Sequence, residues 1–518
     1  MSKSASLLCL AALLFAIGKV EAQANFSKTY LPSGYDWSFG TNLQRFNDNY
    51  LFTLSEYPTS NQEYSKVRYL TVDEYGNVLN DRLLIDFESH IYPVNGTGTQ
   101  VAPGKIHSLL FNRVSGLPQS FGLVTLNLTT DIVEYKDYGH VSTLAGYSLV
   151  KGRGDSLIIY ADEVGGDDTS RWVNSLTFID TETGADTTIS YKGSYHRPQP
   201  GEIKTLPNGD ILMAFGATDY SLPTPQGRGF LQKLSADGRV LWKKDVYPGD
   251  KTLFAPTLLP LPNGDIAYGW TKDSFSTSHP PAYYSPRPAA VFFLDSLGEF
   301  KSRTMLGPIF SQLYNLELLA NGDILGMGQQ GMYLNGSAGD VGWVFRLSPT
   351  GEKLWERLIA YPNTGRAPSL EFQDAVETPS GDILLAGMRN LEDDKFGSWL
   401  LKLSADGCYD PDDCEGIKDT IFIYEEVVAT ESPEEVTIGL EIFPNPTSGS
   451  FMVRLPAGYA LMENATWSLN DVNGRTAHRQ RYVPGAQVAP PAGLAAGMYV
   501  VRIETPRGVA QGKVMIRR

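Results

Sequence analysis

Cysteine is almost missing from this chain: three residues in 518, one of them, Cys9, inside an apolar stretch near the N-terminus. A framework of several disulfides is excluded, and so is a cysteine-rich metal centre. Histidine is scarce too, at six. No apolar run reaches the roughly 20 residues that a membrane-spanning helix needs, so no transmembrane segment is expected in the mature chain. Positive charge is in deficit. Against 58 acidic residues stand 43 basic ones, for a formal charge of −15, which argues against nucleic acid or an anionic membrane as the main partner. There is no GxSxG nucleophile elbow, no phosphate loop and no His/Asp/Glu set at metal spacing. The expectation is therefore no cofactor, no metal and no catalytic residue that the sequence can name.

What is present is a globular chain, 42% hydrophobic and 11% aromatic, too long for one core. Lys3 precedes an apolar run from Leu7 to Ile17, and Val20-Glu21-Ala22 supplies a small-residue cleavage pattern. Residues 1–22 read as a signal peptide and the protein as exported. Its removal leaves Cys408 and Cys414. Their spacing permits a local disulfide pinning the chain where it leaves the last repeat, and two thiols without a nearby histidine make a poor metal set.

The stretch from Glu202 to Val246 holds four short apolar runs joined by tight turns at Asn208-Gly209-Asp210 and Ala236-Asp237-Gly238. These runs are too short for helices and read as one antiparallel sheet. The first turn returns at Asn263-Gly264-Asp265, Asn321-Gly322-Asp323 and Ser380-Gly381-Asp382, and earlier at Gly154-Asp155, Pro103-Gly104-Lys105 and Asn47-Asp48-Asn49. The second returns at Gly76, Gly184, Gly298, Gly351 and Gly407, with a glycine-free copy due near Thr129-Thr130-Asp131. Both markers keep a period of roughly 50–60 residues, the signature of a propeller, and both count seven. The fold class expected is all-β: a seven-bladed β-propeller over 25–408. Lys28 to Gly34 parallels Lys244 to Gly249, the end of a fourth strand. The first strand of the mature chain should therefore pair beside the last blade and shut the ring.

From Tyr409 to Gly439 ten acidic residues face only Lys418, which reads as a solvated linker over 409–438. Residues 439–518 form a separate small domain of short strands, an Ig-like β-sandwich. Its ordered motifs are Pro444-Asn445-Pro446-Thr447-Ser448-Gly449, Leu469-Asn470-Asp471-Val472-Asn473-Gly474-Arg475, Gly497-Met498-Tyr499 and Gly512-Lys513-Val514. Together they resemble the type A C-terminal sorting domain of the type IX secretion system. The resemblance implies export through the outer membrane by the type IX machinery. It also implies removal of this domain and either attachment to surface lipopolysaccharide or release, so a secreted or surface location. The repeats themselves are similar to quinoprotein-like and delta-60-type propellers. Trp242 and Trp355 stand where quinoprotein blades carry docking tryptophans, but the adjacent cysteine pair and calcium ligands of a quinone site are missing.

Both turns of each repeat belong to one face, and their lengths barely vary. The opposite face carries connections of unequal length, near Thr224-Pro225-Gln226, from Asp273 to Arg287 and from Tyr333 to Asp340, so binding is expected there. The long one offers Tyr283 and Tyr284 to a sugar or peptide. The connections entering each inner strand offer His140, His196, Arg197, Phe254, Phe310 and Arg366 near the axis, where arginine suits a carboxylate. Residues at such places also serve as hydrogen-bonded loop anchors. Two functions stay open: a secreted binding or adhesion module for a glycan or protein ligand, without catalysis, and an exported hydrolase or lyase acting on polysaccharide at the channel mouth.

Overall fold

The computed structural model describes residues 25–31, 35–58, 66–85, 91–93, 99–102, 104–112, 120–127, 130, 132–140, 148–164, 172–191, 197–219, 226–248, 256–271, 289–306, 311–334, 337–361, 369–391, 395–410, 416–423, 438–454, 466–470, 476–481, 487–488, 494–505 and 508–517. Two compact units divide the chain, Met1–Tyr424 and Glu425–Arg518. Among the described residues every regular element is a β-strand.

The first unit opens with β1 (Ser27–Tyr30). Seven antiparallel groups follow. Group one is β2 (Tyr35–Phe46), β3 (Asn49–Pro58), β4 (Lys66–Val72) and β5 (Val78–Ile85). Group two has a divided first strand, β6 (Ile91–Pro93) and β7 (Thr99–Ala102), then β8 (Lys105–Asn112), β9 (Ser120–Asn127) and β10 (Val133–His140). Group three is β11 (Ser148–Lys151), β12 (Ser156–Val164), β13 (Trp172–Asp180) and β14 (Asp186–Tyr191); group four is β15 (Arg197–Thr205), β16 (Ile211–Asp219), β17 (Gln226–Leu234) and β18 (Val240–Pro248). Group five is β19 (Thr257–Pro260), β20 (Ile266–Thr271), β21 (Ala289–Leu294) and β22 (Phe300–Leu306). Group six is β23 (Ser311–Leu318), β24 (Ile324–Leu334), β25 (Ser337–Leu347) and β26 (Lys353–Ala360). Group seven is β27 (Leu370–Glu377), β28 (Ile383–Asn390) and β29 (Phe396–Leu403), completed by β1. Ser27 stands opposite Leu401 and Tyr30 opposite Ser398, the pairing that the N-terminal sequence match anticipates. One parallel pair, Trp37 with Phe396, joins groups seven and one into a single sheet.

The repeated turns are built as their residues dictate. Their glycines take φ between 66° and 90°, a region closed to most side chains. Asn47, which replaces glycine in group one, takes φ 55°, tolerable for asparagine. One expected loop is different: β24 and β25 extend through Tyr333 to Asp340, leaving two residues between them, because alternation continues there and pairing satisfies the backbone.

The apolar cores lie between groups, and each one joins consecutive members. Leu51 and Tyr69 of group one meet Ile106 and Val124 of group two. Leu109 and Leu123 meet Leu157 and Ile159 of group three. Tyr160 and Leu176 meet Met213 and Phe230 of group four, and Leu212 and Leu231 meet Tyr268 and Phe292 of group five. Val291 and Phe293 meet Trp343 and Phe345 of group six, and Met327 and Val344 meet Phe372 and Trp399 of group seven. Leu384 and Leu400 of group seven meet Leu43, Phe52 and Leu54 of group one. Each large side chain so buried stabilises by about 1.5–3 kcal/mol.

A second contact recurs farther out. The outer strand of one group holds the second turn of the next. Lys136 donates to the Gly184 carbonyl, the Tyr191 hydroxyl to Gly238 O at 2.8 Å and Thr304 Oγ1 to Gly351 O at 2.5 Å. The rings of Trp242 and Trp355 lie so close under Gly298 and Gly407 that a Cβ there would meet them at 2.9 and 3.0 Å. From β1, the Tyr30 hydroxyl donates to Gly76 O of group one at 2.6 Å. Thr129 and Asp131, where the copy in group two is due, lie outside the described residues.

In the second unit, one sheet runs β31 (Ile438–Gly439), β38 (Gly508–Ile516), β37 (Gly497–Thr505), β34 (Thr466–Asn470), β35 (Thr476–Arg481). The other runs β32 (Glu441–Phe443), β33 (Phe451–Arg454), β36 (Gln487–Val488). Both feed one core, in which Phe451 and Val453 meet Trp467, Val501, Ile503 and Val514.

Candidate functional site: the polar cluster of the innermost strands

Of the residues expected to bind, His196, Phe254, Tyr283, Tyr284, Phe310 and Arg366 lie outside the described residues, as do Cys414, Asp471, Gly474 and Arg475. His140 ends β10 and Arg197 opens β15, but their side chains are outside the description. What the structure does bring together is a set the repeats hide.

The first strands of the groups run side by side, β7 next to β11, then β15, β19, β23, β27 and β2, with β2 also next to β7. In four of them the ladder slips by one residue: between Gly40 and Asn42, Pro200 and Ile203, Leu313 and Asn315, Phe372 and Asp374. Such a bulge re-aims the side chain at the slip. Room for it comes from the neighbouring second strand, where a Cβ on Gly328 or Gly387 would sit 1.9 Å from the Gln312 or Glu371 carbonyl.

The re-aimed groups tie one innermost strand to another. Asp374 is 4% exposed. Its Oδ2 accepts from Asn42 Nδ2 at 3.0 Å and Leu43 N at 2.8 Å in group one. Its Oδ1 accepts from Asn315 Nδ2 of group six at 3.0 Å and from Ala375 N at 2.9 Å. Glu202 Oε2 accepts from Thr257 Oγ1 and Leu258 N of group five, both at 2.8 Å, while its Oε1 pairs with Lys204 Nζ at 2.6 Å. Asn315 also donates to Glu317 Oε1 at 3.2 Å. Sharing that donor, the Glu317 and Asp374 oxygens stand no more than about 6 Å apart.

Electrostatics follow from this crowding. Burial would lower the Lys204 pKa, but Glu202, then Glu317 and Asp374, raise it instead. Glu317 and Asp374 belong to groups that do not adjoin group four, so the ammonium is felt across the middle of the unit. Burial raises the Glu317 carboxyl, with Lys204 opposing. Burial, then the Glu317 charge, raises Asp374 well above the usual carboxylate range. A further pair lies toward the opposite end of the same strands from the repeated turns. Glu371 accepts from the Tyr314 hydroxyl at 3.2 Å and from Gln373 Nε2 at 2.8 Å, and its carboxyl is raised by burial.

Chemically, Asp374 has both oxygens saturated by two donors each and acts as a clasp between groups six, seven and one. Glu317 is the freer carboxyl, half-buried and accepting from Asn315. A signal for this set exists in the sequence. Glu202, Thr257, Asn315 and Asp374 each stand eight residues before the aspartate of their first turn. Among the described residues no group of three or more His, Cys, Asp or Glu is placed to hold a metal ion.

In the second unit, the first and last motifs meet. Asn445 Nδ2 donates to Lys513 O at 2.7 Å, and its Oδ1 accepts from Met515 N at 2.9 Å. Thr447 extends the pairing along β38, accepting from Arg517 N at 2.7 Å. The Tyr499 hydroxyl donates to Ala495 O at 2.9 Å. Turned away from the core, Met498 and Met515 stand opposite each other, 43% and 38% exposed.

Residues 441–517 match the family described as secretion system C-terminal sorting domain. The chain is a type IX secretion cargo, exported to the cell surface or extracellular space, and its sorting domain implies interaction with that machinery. No curated protein has a sequence that matches this chain. Among solved structures, an ulvan lyase of polysaccharide lyase family PL25 is 10% identical with a TM-score of 0.45, over 82% of this chain and 96% of that one. The Penicillium chrysogenum alpha-L-arabinanase is 12% identical at 0.41, over 74% and 99%. PorZ, a surface component of the type IX secretion system of Porphyromonas gingivalis, is 10% identical at 0.28, over 92% and 75%. At these scores none of the three fixes the fold.

Proposed function

We propose that the first unit is a seven-bladed β-propeller, closed by β1, which the sorting domain sends out of the cell as a binding or adhesion module. The observation that carries the export half is the match over 441–517. Support for the ring is that apolar cores and turn-holding contacts link consecutive groups and return from group seven to group one. The turn face is short and uniform, whereas seventeen residues separate β20 from β21 on the other, and that face is where a glycan or protein ligand is received. A catalytic role is disfavoured because Asp374, which shares the Asn315 amide donor with Glu317, is engaged by four donors. The export machinery reads the outer face of β37 and β38, with Met498, Met515 and Lys513 on one side of the sheet. After removal of the sorting domain, the product is held by surface lipopolysaccharide or released.

Mass spectrometry of medium, cell surface and cytoplasm tests this. The parent chain is expected outside without residues 1–22, and a Met498→Asp/Met515→Asp variant retained inside although folded. Parent protein found intact in the cytoplasm, leader and sorting domain attached, overturns the reading.

A second reading has one specific observation behind it. Two carboxyls with raised pKa share one amide donor and so stand no more than about 6 Å apart, within reach of the roughly 5–5.5 Å of a retaining glycosidase pair. Release of reducing ends or unsaturated uronate from a polysaccharide panel, abolished by Glu317→Gln, would establish it. No release from any of them leaves the binding module.

A further inference from the structure

The acidic stretch after Cys408 contains a strand, β30 (Lys418–Phe422). It lies parallel to β26, from Lys418 opposite Glu356 to Phe422 opposite Ala360. We propose that β30 is a strap that closes the joint between groups six and seven from outside, so that the first unit is shut from both ends of its chain. This goes beyond the binding role and holds whatever the ligand.

Three observations carry it. The first is burial. Ile421 and Ile423 are each 1% exposed and belong to one cluster with Trp355 and Ile359 of group six and Trp399, Leu401 and Leu403 of group seven. A solvated tether has no use for such residues. The second is the state of β26. The outer strands β14 and β22 are largely exposed, whereas β26 is buried from Trp355 to Ala360. Glu356 there, 0% exposed, is paired with Lys353 and accepts from Trp343 Nε1 at 3.1 Å, so the strand is equipped to be covered. The third is how the approach to β30 is held. Arg357, 4% exposed, donates through its guanidinium to the carbonyls of Gly416 at 3.3 Å, Ile417 at 3.2 Å and Asp406 at 3.3 Å. Hydrogen bonds from Glu356 N to Ile417 O at 2.6 Å and from Ile423 N to Ala360 O at 3.0 Å bracket the strand.

The N-terminus reaches the same joint. Ser27 Oγ accepts from Trp399 Nε1 at 2.9 Å and is hydrogen-bonded to the Tyr361 hydroxyl that follows β26. Asn25 Nδ2 donates to the carbonyls of Cys408 at 3.2 Å and Tyr409 at 2.7 Å. The joint therefore cannot be complete until the chain has been made through Ile423.

Hydrogen exchange read by mass spectrometry on the full chain decides the matter. In an Ile421→Ala/Ile423→Ala variant, amides of β1, β26 and β29 should exchange at least about tenfold faster, with β12 and β16 unchanged. Faster exchange confined to 416–423 overturns the strap. Should the double variant fail to fold, Ile421→Val read at β29 serves: acceleration there supports the strap, and parent-like exchange overturns it.

Discussion

Gly387 shows how much the repeat asks of single positions. Its missing side chain leaves room for the Glu371 carbonyl, which a Cβ would approach to 1.9 Å. That carbonyl belongs to the bulged strand that aims Asp374. Gly387→Ala should therefore destabilise the first unit by about 1–3 kcal/mol, as overpacking does, measured by thermal unfolding. Gly381→Ala is the comparison, since that turn glycine has open space but φ 89°. Its cost is backbone strain of about 1–2 kcal/mol. Parent-like stability of Gly387→Ala would mean the bulge relaxes freely. At this scale the turn glycines were legible, because positive φ writes itself as glycine at fixed spacing. The polar residues eight positions earlier were equally periodic, yet their purpose was hidden. Asp374 finds Asn42 and Asn315 as partners, and neither is a neighbour in sequence.

Among the elements, β1 was readable and β30 was not, for one physical reason. β1 repeats the wording of a fourth strand in a place where a fourth strand is missing. β30 and the residue after it alternate Ile421 and Ile423 with Thr420 and Phe422, but the acidic surroundings dominate composition. Strand β1 contributes one hydrogen bond that can be removed cleanly, from Tyr30 to Gly76 O. Tyr30→Phe should cost about 1 kcal/mol, seen as a lower midpoint in urea at unchanged slope. Because that bond joins group seven to group one, exchange should rise at Gly76 and Asn77 rather than within β1 alone. Trp242 and Trp355 lie against the second turn of the next group, the place where Tyr191, Thr304 and Tyr30 hydrogen-bond theirs.

For the whole molecule, the ion cluster at the innermost strands sets a pH dependence. Glu317 and Asp374 are raised, so the folded state keeps protons that the unfolded chain gives up near pH 4. Their stabilisation is complete below that pH and is lost as pH climbs through the raised values. His107 acts in the other direction. Burial, helped by Lys105, lowers it to about 4, so stability falls as pH drops from about 6.5 toward that value. The melting temperature of Glu317→Gln minus that of the parent should rise from pH 4 to 7. For His107→Gln the difference should rise as pH falls from about 6.5 to 4. Differences flat in pH would remove the cluster from the account. The all-β repeat was legible because two independent markers share one period. The connections on the face opposite the repeated turns were not, since nothing repeats in them.

One detail at the joint between groups six and seven reaches further. Ser27 is hydrogen-bonded to Tyr361, and Ile423 N to the neighbouring Ala360 carbonyl, so the start of β1 and the end of β30 come to the same joint. In the propeller proposed above, both chain ends would thus meet at one clasp. A few added residues could weld those ends and a new opening be cut at Asn263-Gly264, giving a circular permutant that keeps its interlocks.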